Sequence, residues 1–121
     1  MDNFFKENEI KTDSVTGAYA QETVSAYADY LIRKKTPFSF ALVDVDNFTY
    51  INDAFGHAGG NKVLYDIADK ISLILGDKGV LARSEGDEFS IILKGITDYD
   101  EIWNICHTIL VKINEIELPD I

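Results

Sequence analysis

Two short acidic stretches carry the residue types best suited to chemistry. Val43-Asp44-Val45-Asp46 closes a short apolar, β-favouring run, and Glu85-Gly86-Asp87-Glu88 separates two more such runs. Asp44 and Asp46 lie two apart, so both side chains leave the same side if the strand stays extended. Gly86 is free to take positive φ, which permits a tight hairpin with Glu85, Asp87 and Glu88 at its tip. If the first strand lies beside this hairpin, Asp44 and Asp87 meet at one sheet edge. Converging carboxylates with a main-chain carbonyl nearby suit Mg²⁺, a hard cation that prefers oxygen ligands. A solvated acidic turn and a strand that merely ends in aspartate would use the same residues.

The elements that must position these acids are legible in the apolar spacing. From Thr16 to about Lys35, Val24, Tyr27, Ala28 and Leu31 fall on one helical face, and Pro37 stops the pattern. Residues 38–45 read as a strand buried on both faces. Residues 47–60, with Gly56, Gly59 and Gly60, read as irregular. A helix over about 61–75 turns Leu64, Ile67, Ala68, Ile71 and Ile74 inward. Two strands, 80–84 and 89–94, flank the acidic turn. Thr97-Asp98-Tyr99-Asp100 resembles a capping box, followed by a helical stripe of Ile102, Cys106, Ile109, Leu110 and Ile113. The order α-β-α-β-β-α predicts an α/β layer with mixed strand directions.

Composition sets outer bounds. The 121 residues suit one domain, with residues 1–12 as a lead-in segment, and 46% hydrophobic content supports a real core. One cysteine, Cys106, excludes an internal disulfide framework. No apolar run approaches the roughly 20 residues that cross a bilayer, and no signal peptide opens the chain, so a cytoplasmic location is expected. The net charge of −10 argues against nucleic-acid binding. It leaves room for a small nucleotide carried in with a divalent cation, which cancels local negative charge.

Taken in order, four stretches resemble the GGDEF domain of diguanylate cyclases. They are Asp44-Val-Asp-Asn-Phe-Thr-Tyr-Ile-Asn-Asp53, Phe55-Gly-His57, Gly60-Asn-Lys-Val-Leu64 and Arg83-Ser-Glu-Gly-Asp-Glu-Phe89. Upstream, Asp13-Ser-Val-Thr-Gly17 is similar to the motif with which that family's domain begins. The resemblance runs from Asp13 to about Ile113. It implies a nucleotidyl-cyclase and polymerase-palm-like mixed sheet flanked by helices. It implies that each domain binds one GTP, and that two domains face each other as a homodimer to form cyclic di-GMP and pyrophosphate. In that picture Mg²⁺ or Mn²⁺ is held by Asp44, the Val45 carbonyl, Asp87 and Glu88. Asp87 and Glu88 are the catalytic pair, with Glu88 assisting the metal or deprotonating the attacking hydroxyl. Asn52 and Asn61 face the guanine, and Glu85 and Gly86 lie along the nucleotide. His57 reads as structural and His107 as a helix-surface residue. An attached sensory or output domain in bacterial signalling is implied as well.

Several matched positions depart from the family's residues. Glu85 replaces the first hairpin glycine and adds bulk and charge beside a triphosphate. Thr49 stands where a lysine commonly reaches the terminal phosphates; losing one such charge costs roughly 100- to 1000-fold in rate. Asn61 replaces an aspartate that pairs with guanine, and Ala20-Gln21 replaces an Asn-Arg pair. Gly76 and Gly79 occupy the positions of the Arg and Asp of the product-inhibition motif, so that feedback site is absent. The resemblance also implies a strand, a basic helix and a final strand after Leu118-Pro-Asp-Ile121, so the domain reads as C-terminally truncated. The expectation is a weak or inactive GGDEF domain that retains its metal-binding acids. A working cyclase is the alternative, and an interaction module that binds no nucleotide is a third reading.

Overall fold

The computed structural model describes residues 4–118. Met1–Asn3 of the lead-in and the closing Pro119–Ile121 lie outside the described residues. The elements run α1 (Phe4–Glu7), β1 (Tyr19–Ala20), α2 (Gln21–Arg33), β2 (Phe38–Asp44), α3 (Phe48–Leu75), β3 (Gly79–Glu85), β4 (Glu88–Lys94) and α4 (Tyr99–Asn114). The strands form one mixed sheet in the order β1-β3-β4-β2. β4 is antiparallel to both β2 and β3, and β1 runs parallel to β3.

Each face of the sheet carries its own core. On one side α3 and α4 bury Leu64, Ile67, Ile71, Ile105 and Ile109 against Leu81, Phe89, Ile91 and Leu93. On the other, Phe4 of α1 and Val24, Tyr27 and Leu31 of α2 close over Ala82 and Ile92. Complete burial of a side chain such as Leu31 or Phe89 is worth about 1.5–3 kcal/mol. These two layers hold the sheet so that its acidic end is fixed relative to both sets of helices.

The structure revises several boundaries. The first long helix begins at Gln21, not Thr16, because Tyr19 and Ala20 are drawn into a short strand beside Ala82 and Arg83. Residues 48–60 are largely helical: one helix opens at Phe48, the backbone leaves helical geometry at Gly56 (φ 75°, ψ 174°), and a second helix continues from there, the two together making α3. Closely spaced glycines weaken helix propensity, but burial of Ile51 outweighs that cost here. β2 is not buried on both faces. Phe40 and Leu42 are 52% and 61% exposed on a strand at the end of the sheet, while Phe38 at its start packs against the α2 core. The cap of α4 is Asp98, one residue after Thr97; its carboxylate accepts the Glu101 amide at 3.0 Å. In α4, Ile102, Ile109 and Ile113 pack on the core as the stripe predicts, Ile105 joins them, and Leu110 is instead 59% exposed.

Candidate active site

The acidic end of the sheet is assembled by main-chain pairing. β2 lies directly beside β4, and the register sets Asp44 opposite Glu88. Past the end of the strand, the Val45 amide donates to the Asp87 carbonyl at 3.0 Å, so the pairing continues into the turn. On the other flank Glu85 of β3 also stands opposite Glu88. Three acids thus cross three neighbouring strands in one row. Like charges set directly opposite one another disfavour strand pairing.

Strand β2 stops at Asp44, and Asp46 lies in the turn that leads into α3. The extended geometry that would send Asp44 and Asp46 to the same side therefore does not hold. Asn47 takes φ 59°, a left-handed conformation that asparagine tolerates, and α3 begins one residue later. Asp44 is exposed, and Asp87 and Glu88 are half-buried. Among the described residues, no three His, Cys, Asp or Glu side chains are gathered into a ready-made metal cluster. The donors that the sequence leads one to expect, the Asp44, Asp87 and Glu88 carboxylates and the Val45 carbonyl, are nonetheless all oxygen. That chemistry fits a hard divalent cation that retains waters or phosphate oxygens as further ligands.

The first turns of α3 bring the second group of residues together. Gly60 is buried, and a β-carbon there would collide with the Asn52 side-chain oxygen and crowd Phe48 at 3.3 Å. The absence of a side chain at 60 therefore makes room for the Asn52 amide across the kink. Asn61 follows, exposed, on the same helix. Thr49 is exposed in the opening turn of α3, three residues before Asn52. His57 is exposed beside the kink, and His107 stacks on Trp103 at 4.7 Å on the surface of α4. A cavity of about 830 Å³ opens at the other end of β3, beside Gly79 and Val80 and away from the acidic turn.

Behind the turn lies a polar scaffold that the residue spacing did not disclose. Gly86 has φ 51°, as a tight hairpin requires. Its carbonyl accepts the Arg83 Nε–H at 2.9 Å, and Arg83 Nη1 lies 3.3 Å from both Asp13 oxygens. Asp13 in turn accepts the Thr16 amide at 2.9 Å and the Thr16 hydroxyl at 2.8 Å. Partial burial alone would raise the Asp13 pKa. The two Thr16 hydrogen bonds and the Arg83 charge outweigh it and hold the carboxyl below its usual value. The Arg83 and Asp13 side chains are only 15% and 20% exposed, so the pair is shielded from much of the solvent screening that weakens surface pairs. An arginine following the apolar Val80-Leu81-Ala82 run of β3 was the available signal, since a largely buried guanidinium demands partners.

A mixed sheet with an acidic hairpin between its two central strands, packed by helices on both faces, defines a mixed α/β domain. Residues 10–118 match the family described as diguanylate cyclase, GGDEF domain, and the chain belongs to that family. It is 34% identical over 89 residues to the probable diguanylate cyclase DgcF of Escherichia coli strain K12. That match covers 73% of this chain but 28% of DgcF, so the chain spans well under a third of this relative. The GGDEF domain of DgcB from Caulobacter crescentus, solved in complex with c-di-GMP, superposes with a TM-score of 0.81 at 21% identity. It covers 94% of this chain and 68% of its own. The active GGEEF domain of a Vibrio cholerae diguanylate cyclase superposes with a TM-score of 0.68 at 29% identity, covering 78% and 60% of the two chains. No helix among the described residues is long and apolar enough to cross a membrane.

Proposed function

We propose that this chain is a GGDEF domain of cyclic di-GMP signalling that binds a guanine nucleotide with Mg²⁺ or Mn²⁺ and turns it over weakly or not at all. The carrying observation is the continuous pairing of the end of β2 with the acidic hairpin, through Asp44 opposite Glu88 and the 3.0 Å bond from Val45 to Asp87. Asp44, Asp87, Glu88 and the Val45 carbonyl hold the cation, which supplies charge neutralisation at the phosphates. Asn52, placed against Gly60, and Asn61 face the base. Asp87 and Glu88 are the acids whose loss would abolish any turnover.

Three features of the site support the reading of weak turnover. Glu85 is exposed at the mouth of the hairpin and faces Glu88, which adds negative charge where a triphosphate must approach. Thr49 offers a neutral hydroxyl in the first turn of α3, where a cation would stabilise the departing pyrophosphate. Asn61 accepts one hydrogen bond from guanine without charge. Turnover joins two nucleotides, so it needs two chains facing each other as a homodimer.

The retained acids favour one further reading, a working cyclase that condenses two GTP into cyclic di-GMP and pyrophosphate. Incubation with GTP and Mg²⁺ or Mn²⁺, followed by measurement of pyrophosphate and cyclic di-GMP, separates the two. Saturable binding without product supports the proposed reading. Rapid, repeated turnover that vanishes in Asp87→Ala establishes the cyclase, slow turnover that vanishes in it stays with the proposed reading, and no binding at all leaves an interaction module.

A further inference from the structure

The dipeptide Ala20-Gln21 departs from the family pattern and has no part in the nucleotide site, yet it lies against the strand that leads into the acidic turn. Strand β1 is two residues long and pairs Ala20 with Arg83, so Gln21, the first residue of α2, comes level with Ser84. The β3–β4 register is irregular at that point: Arg83 faces Phe89 and Glu85 faces Glu88, which leaves Ser84 without a cross-strand partner in the ladder. The Gln21 amide oxygen accepts the Ser84 hydroxyl at 3.0 Å and the Ser90 hydroxyl at 2.9 Å. Ser90 is fully buried, and without Gln21 its hydroxyl would be a polar group in the core beside Ala82 and Ile92. The Gln21 amide nitrogen donates to Ser25 one turn along α2, which orients the group. One side chain therefore ties the start of α2 to both strands of the hairpin at the irregularity from which its tip departs.

We infer that Gln21 is a positioning residue for the acidic turn: with the Asp13–Arg83–Gly86 chain, it sets the posture in which Asp87 and Glu88 are presented. The inference rests on the nucleotide reading above. Two latches act from one short stretch of chain. Asp13 holds Arg83 and, through it, the Gly86 carbonyl; Gln21 holds Ser84 and Ser90 on the two arms. Between them they restrain the turn from the β1 side, while Val45 restrains it from the β2 side. A displacement of residues 13–21 would thus reach the turn through these hydrogen bonds.

Amide hydrogen exchange on the whole chain tests this directly, comparing wild type with Gln21→Leu, Gln21→Glu and Ser84→Ala. Loss of one net hydrogen bond at the latch should speed exchange at Glu85–Glu88 by about tenfold in Gln21→Leu and by somewhat less in Ser84→Ala. Ile91–Leu93 should be unchanged, and Gln21→Glu, which keeps an acceptor of the same reach, should resemble wild type. Titration with Mn²⁺–GTP should show affinity reduced about tenfold in Gln21→Leu and little changed in Gln21→Glu. Unchanged turn exchange, or exchange raised equally along β4, overturns the inference. So does faster turn exchange with undiminished Mn²⁺–GTP affinity. If wild type binds no Mn²⁺–GTP, the nucleotide reading falls, and the exchange comparison still decides whether the latch exists. Ser84→Ala keeps the test decisive should Gln21→Leu fail to fold.

Discussion

The Val45 amide donates to the Asp87 carbonyl across 3.0 Å, joining two residues 42 positions apart in the chain at the end of the sheet. Because main-chain atoms make this bond, the separation between the acids of β2 and of the hairpin does not depend on side-chain identity. Under the proposed reading, the departures at Glu85, Thr49 and Asn61 bear on what the site binds, and the main-chain frame beneath them is independent of those side chains.

Substitution of Asp87 by alanine should lower any pyrophosphate release from GTP by at least about 100-fold. The fold should survive, because the Val45 bond uses the Asp87 main chain and removal of one acid relieves repulsion in the turn. Circular dichroism melting alongside a coupled pyrophosphate assay checks both parts.

Restoring the family's residues at two positions should raise turnover. Thr49→Lys returns a cation to the opening turn of α3, and Glu85→Gly removes the acid opposite Glu88. Each change is expected to increase cyclic di-GMP formation, by up to about 100-fold for the lysine. Product measured by liquid chromatography at fixed GTP and Mg²⁺ gives the answer, and an unchanged rate in the double variant would reject this account of weak activity.

Gly60→Ala should destabilise the domain by about 1–3 kcal/mol, because its methyl group would collide with the Asn52 side chain. Adding Asn52→Ala should restore part of that loss, a non-additivity that marks direct contact. Urea unfolding of the two single variants and the double variant completes the cycle. GTP affinity should fall in all three if Asn52 meets the base.

The Asp13 carboxyl is held below its usual pKa by Thr16 and Arg83 against the opposing effect of burial. A lowered pKa in the folded state means that folding favours the ionised form. Its contribution to stability is complete above the ordinary aspartate pKa of about 4, and is lost as pH falls through that value and below. Urea midpoints measured at pH 7, 5, 4 and 3 should decline more steeply for wild type than for Asp13→Asn below about pH 5. At pH 7 the variant should be the less stable of the two.

Much of this protein was readable from residue order alone. The three- and four-residue spacing of Val24, Tyr27 and Leu31, and of Leu64, Ile67 and Ile71, defined two helices, because helical periodicity is local. Gly86 among acids marked the hairpin for the same reason, since a turn is decided by the few residues within it. The opening of α3 was missed because local glycine content was set against burial that only a folded core supplies, at Ile51 and Gly60. The open face of β2 depended on strand order, and Phe40 and Leu42 look the same in the sequence whether covered or not. That Asp44 would lie near the hairpin was conditional on strand order, and its pairing with Glu88 and the contacts of Arg83 and Gln21 were decided by the tertiary structure. They join residues 44 to 70 positions apart, and no local preference encodes which distant partner a carboxylate or an amide will meet.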